Sequence, residues 1–153
     1  MVMSGFFDIR SGTVAFEEKR AWALAVIAVV GYAVYAVVVL GGADGRPLTE
    51  APYVGAVLWT MGLGIVAGIV SGIWFGITAR NEGLQVDERD REIGRFGDHV
   101  GQSFVVIGGV SAMALAMAEA AHFWIANVLY LCFVLSAVLG SVAKIAAYRR
   151  GMP

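Results

Sequence analysis

Charged residues divide the chain into four long stretches that carry none: Ala21–Ala43, Ala51–Ala79, His99–Ala118 and Ala120–Ala143. An α-helix rises 1.5 Å per residue, so about 20 mostly apolar residues cross roughly 30 Å of hydrocarbon. Each stretch meets that length. Only Glu119 separates the third from the fourth. One helix through both would be over twice as long as a bilayer needs, so the chain must turn at Glu119-Ala120-Ala121-His122, where neither glycine nor proline marks the place. The pattern predicts an all-α fold. It is one membrane domain over residues 1–153, a four-transmembrane-helix bundle with spans near 20–42, 53–79, 99–118 and 123–147. The first apolar run is longer than a signal-peptide core and follows a charged stretch of about 20 residues, so it reads as a retained span.

Composition agrees. Hydrophobic residues make up 59% of the chain and charged residues 15%, a balance that a soluble domain of this length could not hide from water. A single cysteine excludes an intrachain disulfide and any cysteine-rich metal cluster. A net charge of −1 gives no footprint for nucleic acid. Lys and Arg set the expected orientation. Arg10, Lys19 and Arg20 precede span 1; Arg80, Arg89, Arg91 and Arg95 lie between spans 2 and 3; Lys144, Arg149 and Arg150 close span 4. Only Arg46 lies on the other side. Both termini and the charged 80–98 connection are therefore expected in the cytoplasm. Trp22 and Trp74 fall near inner ends, and Trp59 and Trp124 near outer ends, as interfacial anchors do. Pro47, Pro52 and Pro153 all lie outside the spans, so proline breaks none of them.

Span 2 carries Gly64, Gly68, Gly72 and Gly76 at four-residue spacing, with Ala56 and Thr60 extending the row. Such a row lies along one ridge of a helix. Helices in lipid associate through close backbone approach rather than hydrophobic transfer, so the ridge is a candidate helix-packing face. It serves either an internal neighbour, which any four-span bundle requires, or a second subunit. Gly94, Gly97, Gly101 and Gly108 make a similar stripe in span 3, and Ser136 and Gly140 begin one in span 4. Three small-residue faces predict a tight bundle rather than a wide aqueous pore.

The 80–98 connection holds Asp87-Glu88-Arg89-Asp90-Arg91-Glu92-Ile93. Asp87 is placed to cap a helix that runs on into span 3, and acidic residues suit its first turn. Asp87–Arg91, Glu88–Arg91 and Glu92–Arg95 have ion-pair spacing. Ile93, Phe96, Val100 and Phe104 supply an apolar stripe. The charged turn is either a solvated helix start or a docking surface for a cytoplasmic partner built from Asp87, Glu88, Arg89, Asp90, Arg91 and Arg95. Its acidic balance argues against a polybasic lipid site.

This stretch resembles the motif of small uncharacterised bacterial four-span integral membrane proteins. Phe16-Glu17-Glu18-Lys19-Arg20-Ala21-Trp22 and His122-Phe123-Trp124-Ile125-Ala126-Asn127 are similar to segments of the same group. The resemblance covers most of the chain. It implies a multi-pass protein of the bacterial inner membrane with a charged motif on the inner side, and it implies no activity.

Glu119 and His122 have the Glu-x-x-His spacing that carboxylate bundles use in pairs to hold metals. The spans supply no further carboxylates, so no metal or cofactor is expected. The two form a candidate proton-sensitive pair at the outer turn. No nucleophile elbow, P-loop or His-Glu-x-x-His motif is present. The sequence therefore points to a non-enzymatic regulatory or accessory protein in the bilayer. Its expected contacts are helix–helix and cytoplasmic-loop contacts with a second copy or with a membrane or cytoplasmic partner. A small oligomeric transporter or channel is the alternative.

Overall fold

The structure, a computed structural model, describes the backbone over residues 2–151 and side chains from residue 14 to 151. The side chain of Arg10 and all of Pro153 thus lie outside the described residues. Four long helices follow one another: α1 (Val2–Ala43), α2 (Tyr53–Asn81), α3 (Glu88–Met117) and α4 (His122–Arg150), with a short 3-10 turn at Leu48–Glu50. All four contain stretches long and apolar enough to cross a membrane, the first from Val14 onward. Their exposed faces carry large apolar side chains such as Leu58, Leu63, Ile69 and Met113, as lipid contact requires. All four tryptophans are exposed as well. The helices run up and down, so both chain ends lie at one end of the bundle, called here the basic end. An ion pair between Glu18 and Arg149, 2.7 Å long, ties α1 to the end of α4 there.

The turn between α3 and α4 falls where the length argument puts it. Ala118 ends α3, and Glu119 takes a left-handed conformation (φ 54°). Ala120 N–H donates to Leu115 O and Glu119 N–H to Ala116 O, the two bonds of a Schellman motif. Gly83 (φ 66°) ends α2 with the same pair of bonds, from Leu84 to Ala79 and from Gly83 to Arg80. The motif that glycine serves at α2 is thus built on a glutamate at α3.

α3 and α4 form the tightest pair. A Cβ built on Gly101 would lie 2.9 Å from Ser136 O, and one on Gly108 only 2.5 Å from the Cβ of Cys132. Gly97 faces Gly140 and the stem of Lys144 as closely. The stripe read in span 3 is therefore filled by the one begun in span 4, except at Gly94, which meets nothing within 4 Å. Phe96, placed in the apolar stripe by sequence, is 44% exposed, while Ile93 is buried. The row that packs is Ile93, Gly97, Gly101 and Gly108.

A second core gathers at the opposite end, around Tyr35, Val39, Phe123 and Tyr130. Tyr130 stands edge-on to Tyr32 and Tyr35, with ring centroids 5.5 and 5.0 Å apart, and Tyr53 stands edge-on to Phe123. Such pairs prefer this geometry because the rim of one ring meets the negative face of the other. Tyr35 donates to Asn127 Oδ1 (2.6 Å) and Tyr130 to Thr60 Oγ1 (3.0 Å). These bonds satisfy hydroxyls that lipid would leave bare.

The bundle is not closed. The backbones of α1 and α2, of α1 and α4, and of α4 and α3 pack closely, while α2 meets α4 through side chains at the far end, Tyr53 on Phe123 and Thr60 with Tyr130. The order is α2–α1–α4–α3, with α2 and α3 as separated edges. Sequence predicted a tight bundle; α2 departs from it and has no buried residue. At the basic end, Phe16 of α1 stands edge-on to Phe75 of α2, 5.3 Å between centroids. Phe16 and Glu17 also line a small cleft with Ala79, the 84–86 connection and Asp90.

Candidate functional site

The open side of the bundle encloses a cavity of about 660 Å³. α1 and α4 make its floor through residues such as Ile27, Ala28, Val134 and Ala137. α2 makes one wall with Gly64 and Gly68, and α3 the other with Gly97 and Gly101. Because the two wall helices do not pack on each other, the cavity opens sideways between them, towards lipid.

Its two ends differ. At the far end, Tyr130 donates to Thr60 and Thr60 Oγ1 donates to Ala56 O at 2.7 Å, so both hydroxyls are engaged. At the end nearer the termini, Lys144 Nζ donates to Asp98 Oδ1 at 2.8 Å. The Asp98 side chain is 76% exposed and that of Lys144 26%. Both residues line the cavity, with Ser136 and Ser141 nearby. The pair sits where the charged start of α3 gives way to its uncharged run. Charge mapping left Asp98 in the 80–98 connection and counted Lys144 only among the basic residues that close span 4. The signal that joins them is Gly97: without a side chain there, the Lys144 stem crosses α3 and reaches the next residue.

The glycine row of α2 stands largely unfilled. Gly64, Gly72 and Gly76 meet nothing within 4 Å, and Gly68 meets only a methyl of Leu24 at 4.0 Å. Internal packing uses only the far end of the row, where Ala56 packs on the tyrosine core and Thr60 accepts from Tyr130. Gly64 and Gly68 face the cavity; Gly72 and Gly76 do not line it.

The charged motif splits into an inward and an outward face. Asp87 caps α3 as its spacing predicted, accepting from Glu88 N–H at 2.7 Å. Asp90 completes a reciprocal capping box by accepting from Asp87 N–H. Asp90 is only 8% exposed and faces Tyr148 of α4. It belongs to the internal junction of α1, α3 and α4, not to an exposed docking surface. Arg89 is half-buried, and its Nε has no hydrogen-bond partner. The outward face holds Glu88, Arg91, Glu92 and Arg95. Glu88 pairs with Arg91 and with Arg95, each at 3.6 Å. The Glu88–Arg91 spacing was read correctly. Arg95 turns to Glu88 rather than Glu92, and no Asp87–Arg91 pair forms among the described residues.

Glu119 and His122 are both exposed at the far turn, outside the cavity. No hydrogen bond or ion pair joins them among the described residues. No group of three metal-ligating side chains occurs among those residues either. No family model matches the chain, and no curated protein or solved structure is significantly similar to it.

Proposed function

We propose that this chain is a non-enzymatic accessory or regulatory protein of a bacterial inner membrane, akin to the small four-span proteins its charged motif resembles. It works through contacts made in the bilayer and at the basic end, which this reading places in the cytoplasm. The observation that carries it is the state of α2: a span with no buried residue, whose backbone packs closely on α1 alone, with a glycine row that the chain leaves uncovered. In lipid, a ridge of this kind stabilises a bundle only when another backbone comes close. The lower part of that row, Gly72 and Gly76, leads into the connection before the outward charges Glu88, Arg91, Glu92 and Arg95. Together they offer a partner a helix face and a charged flank.

The test uses the full chain in its native membrane, with a photocrosslinking residue at position 72. An adduct of one defined mass is the expected result. Charge reversal at Arg91 and Arg95 should remove it and leave the helical content intact. If only unmodified chain is recovered, or the adduct ignores the charge reversal, the proposal fails. A small oligomeric transporter is the second reading, favoured by the Asp98–Lys144 pair at one end of the cavity. It requires solute flux in reconstituted vesicles that Asp98→Asn abolishes.

A further inference from the structure

We propose that the groove between α2 and α3 is a binding site for one phospholipid that carries a primary ammonium beside its phosphate. One acyl chain lies along the cavity, and the headgroup sits on Asp98 and Lys144. This goes beyond the docking reading and does not depend on it.

The groove has the length and width of a lipid chain. The cavity runs from Tyr130 to Lys144 along α4, fourteen residues or about 21 Å. A volume of 660 Å³ over that length gives a mean cross-section of about 30 Å², which admits an extended methylene chain, whose carbons need about 4 Å of clearance from their neighbours. The volume also lies within the usual range for small-molecule sites. In a bilayer, an apolar groove that opens sideways lies within reach of acyl chains.

Charge decides which lipid. At the far end the Thr60 and Tyr130 hydroxyls are engaged with each other and the backbone, which suits a hydrocarbon tail. Only the other end offers free polar capacity. Lys144 spends one of its three donors on Asp98, and the second carboxylate oxygen of Asp98 is open in a side chain 76% exposed. A purely anionic headgroup would gain from Lys144 and lose to the carboxylate beside it. A zwitterion meets both charges: its phosphate accepts from Lys144 Nζ, and its ammonium donates to Asp98 Oδ2. A quaternary ammonium lacks the N–H that this second bond needs.

The test is native mass spectrometry of the full chain, purified from an equimolar mixture of phosphatidylethanolamine, phosphatidylcholine and phosphatidylglycerol with matched chains. One bound lipid per chain is expected, with phosphatidylethanolamine retained about fivefold over the other two, the factor one net hydrogen bond gives. Asp98→Asn should erase the preference over phosphatidylcholine and raise phosphatidylglycerol. Lys144→Gln should lower retention of all three. Gly64→Leu projects a side chain into the groove from a position where a Cβ meets nothing within 4 Å, and should lose the lipid while circular dichroism shows its helical content unchanged. Equal retention of the three lipids, no retained lipid, or retention unchanged by Gly64→Leu would each overturn the proposal. None of these outcomes bears on the position-72 crosslink, so the two readings fail separately.

Discussion

Replacing Gly108 with alanine sets two effects of known sign against each other. Alanine is the better helix former by about 1 kcal/mol. At position 108, however, the new Cβ would stand 2.5 Å from the Cβ of Cys132 and 3.2 Å from its Sγ. A Cβ is fixed to its backbone and cannot rotate away. Reaching ordinary carbon–carbon contact, about 3.5–4.0 Å, requires α3 and α4 to part by about 1 Å. Overpacking of this kind costs about 1–3 kcal/mol, so the steric effect matches or exceeds the propensity gain. Gly109 is the internal control, because a Cβ there meets nothing within 4 Å. Gly109→Ala should be neutral or mildly stabilising, and Gly108→Ala should fall below it by about 1–3 kcal/mol. Cys132→Gly removes the opposing Cβ, so the double variant should recover most of that difference in a double-mutant cycle. Unfolding by SDS titration in mixed micelles, followed by circular dichroism, measures the unsubstituted chain and the four variants. Equal stability of the Gly108 and Gly109 variants, or a cycle with no coupling, would refute the idea that close backbone approach holds this helix pair.

The same titration checks three further expectations. Glu119→Gly should stabilise the fold by about 0.5–1 kcal/mol, because glutamate holds a left-handed φ of 54° that glycine adopts freely, and Gly83→Ala should destabilise by a similar amount at φ 66°. Asp90→Ala should cost about 1–2 kcal/mol by opening the capping box; if Asp90 instead serves only partner contact, stability will not move and the position-72 adduct will vanish. Tyr35→Phe should cost about 1 kcal/mol through loss of the 2.6 Å bond to Asn127, and a neutral result would mean that bond contributes nothing.

The spans, the Asp87 cap and the 119–122 turn were legible because each follows from a local rule: the reach of a helix across lipid, the side chain a helix start needs, and the impossibility of one helix through both final stretches. The rows Gly97–Gly101–Gly108 and Ser136–Gly140 were legible as small faces. Which face meets which was not. Spacing reports that a ridge is narrow and is silent on whether anything lies against it. Gly101 and Gly64 look alike in sequence, yet a Cβ would strike Ser136 O at the first and meet nothing at the second. Asp98 and Lys144 were both visible, but charge counting placed one in the 80–98 connection and the other at the close of span 4, and their bond appears only once Gly97 and Gly140 bring α3 and α4 together.

The open groove escaped sequence reading for a reason of its own. Both the α2–α3 and the α3–α4 connections are short, and short connections usually make antiparallel neighbours. That rule holds for α3 and α4 and fails for α2 and α3. The difference lies in what stands at the base of each pair. At Ala118–Ala121 the chain turns freely, and the glycines behind it let the helices close. At residues 82–87 the two helices are drawn to different neighbours. Phe16 of α1 stands edge-on to Phe75 near the end of α2. Asp90 fixes the start of α3 with its capping box and faces Tyr148 of α4. α2 is thus held on α1 while α3 is held on α4, and the groove left between them has Asp98 and Lys144 at one end of an apolar channel.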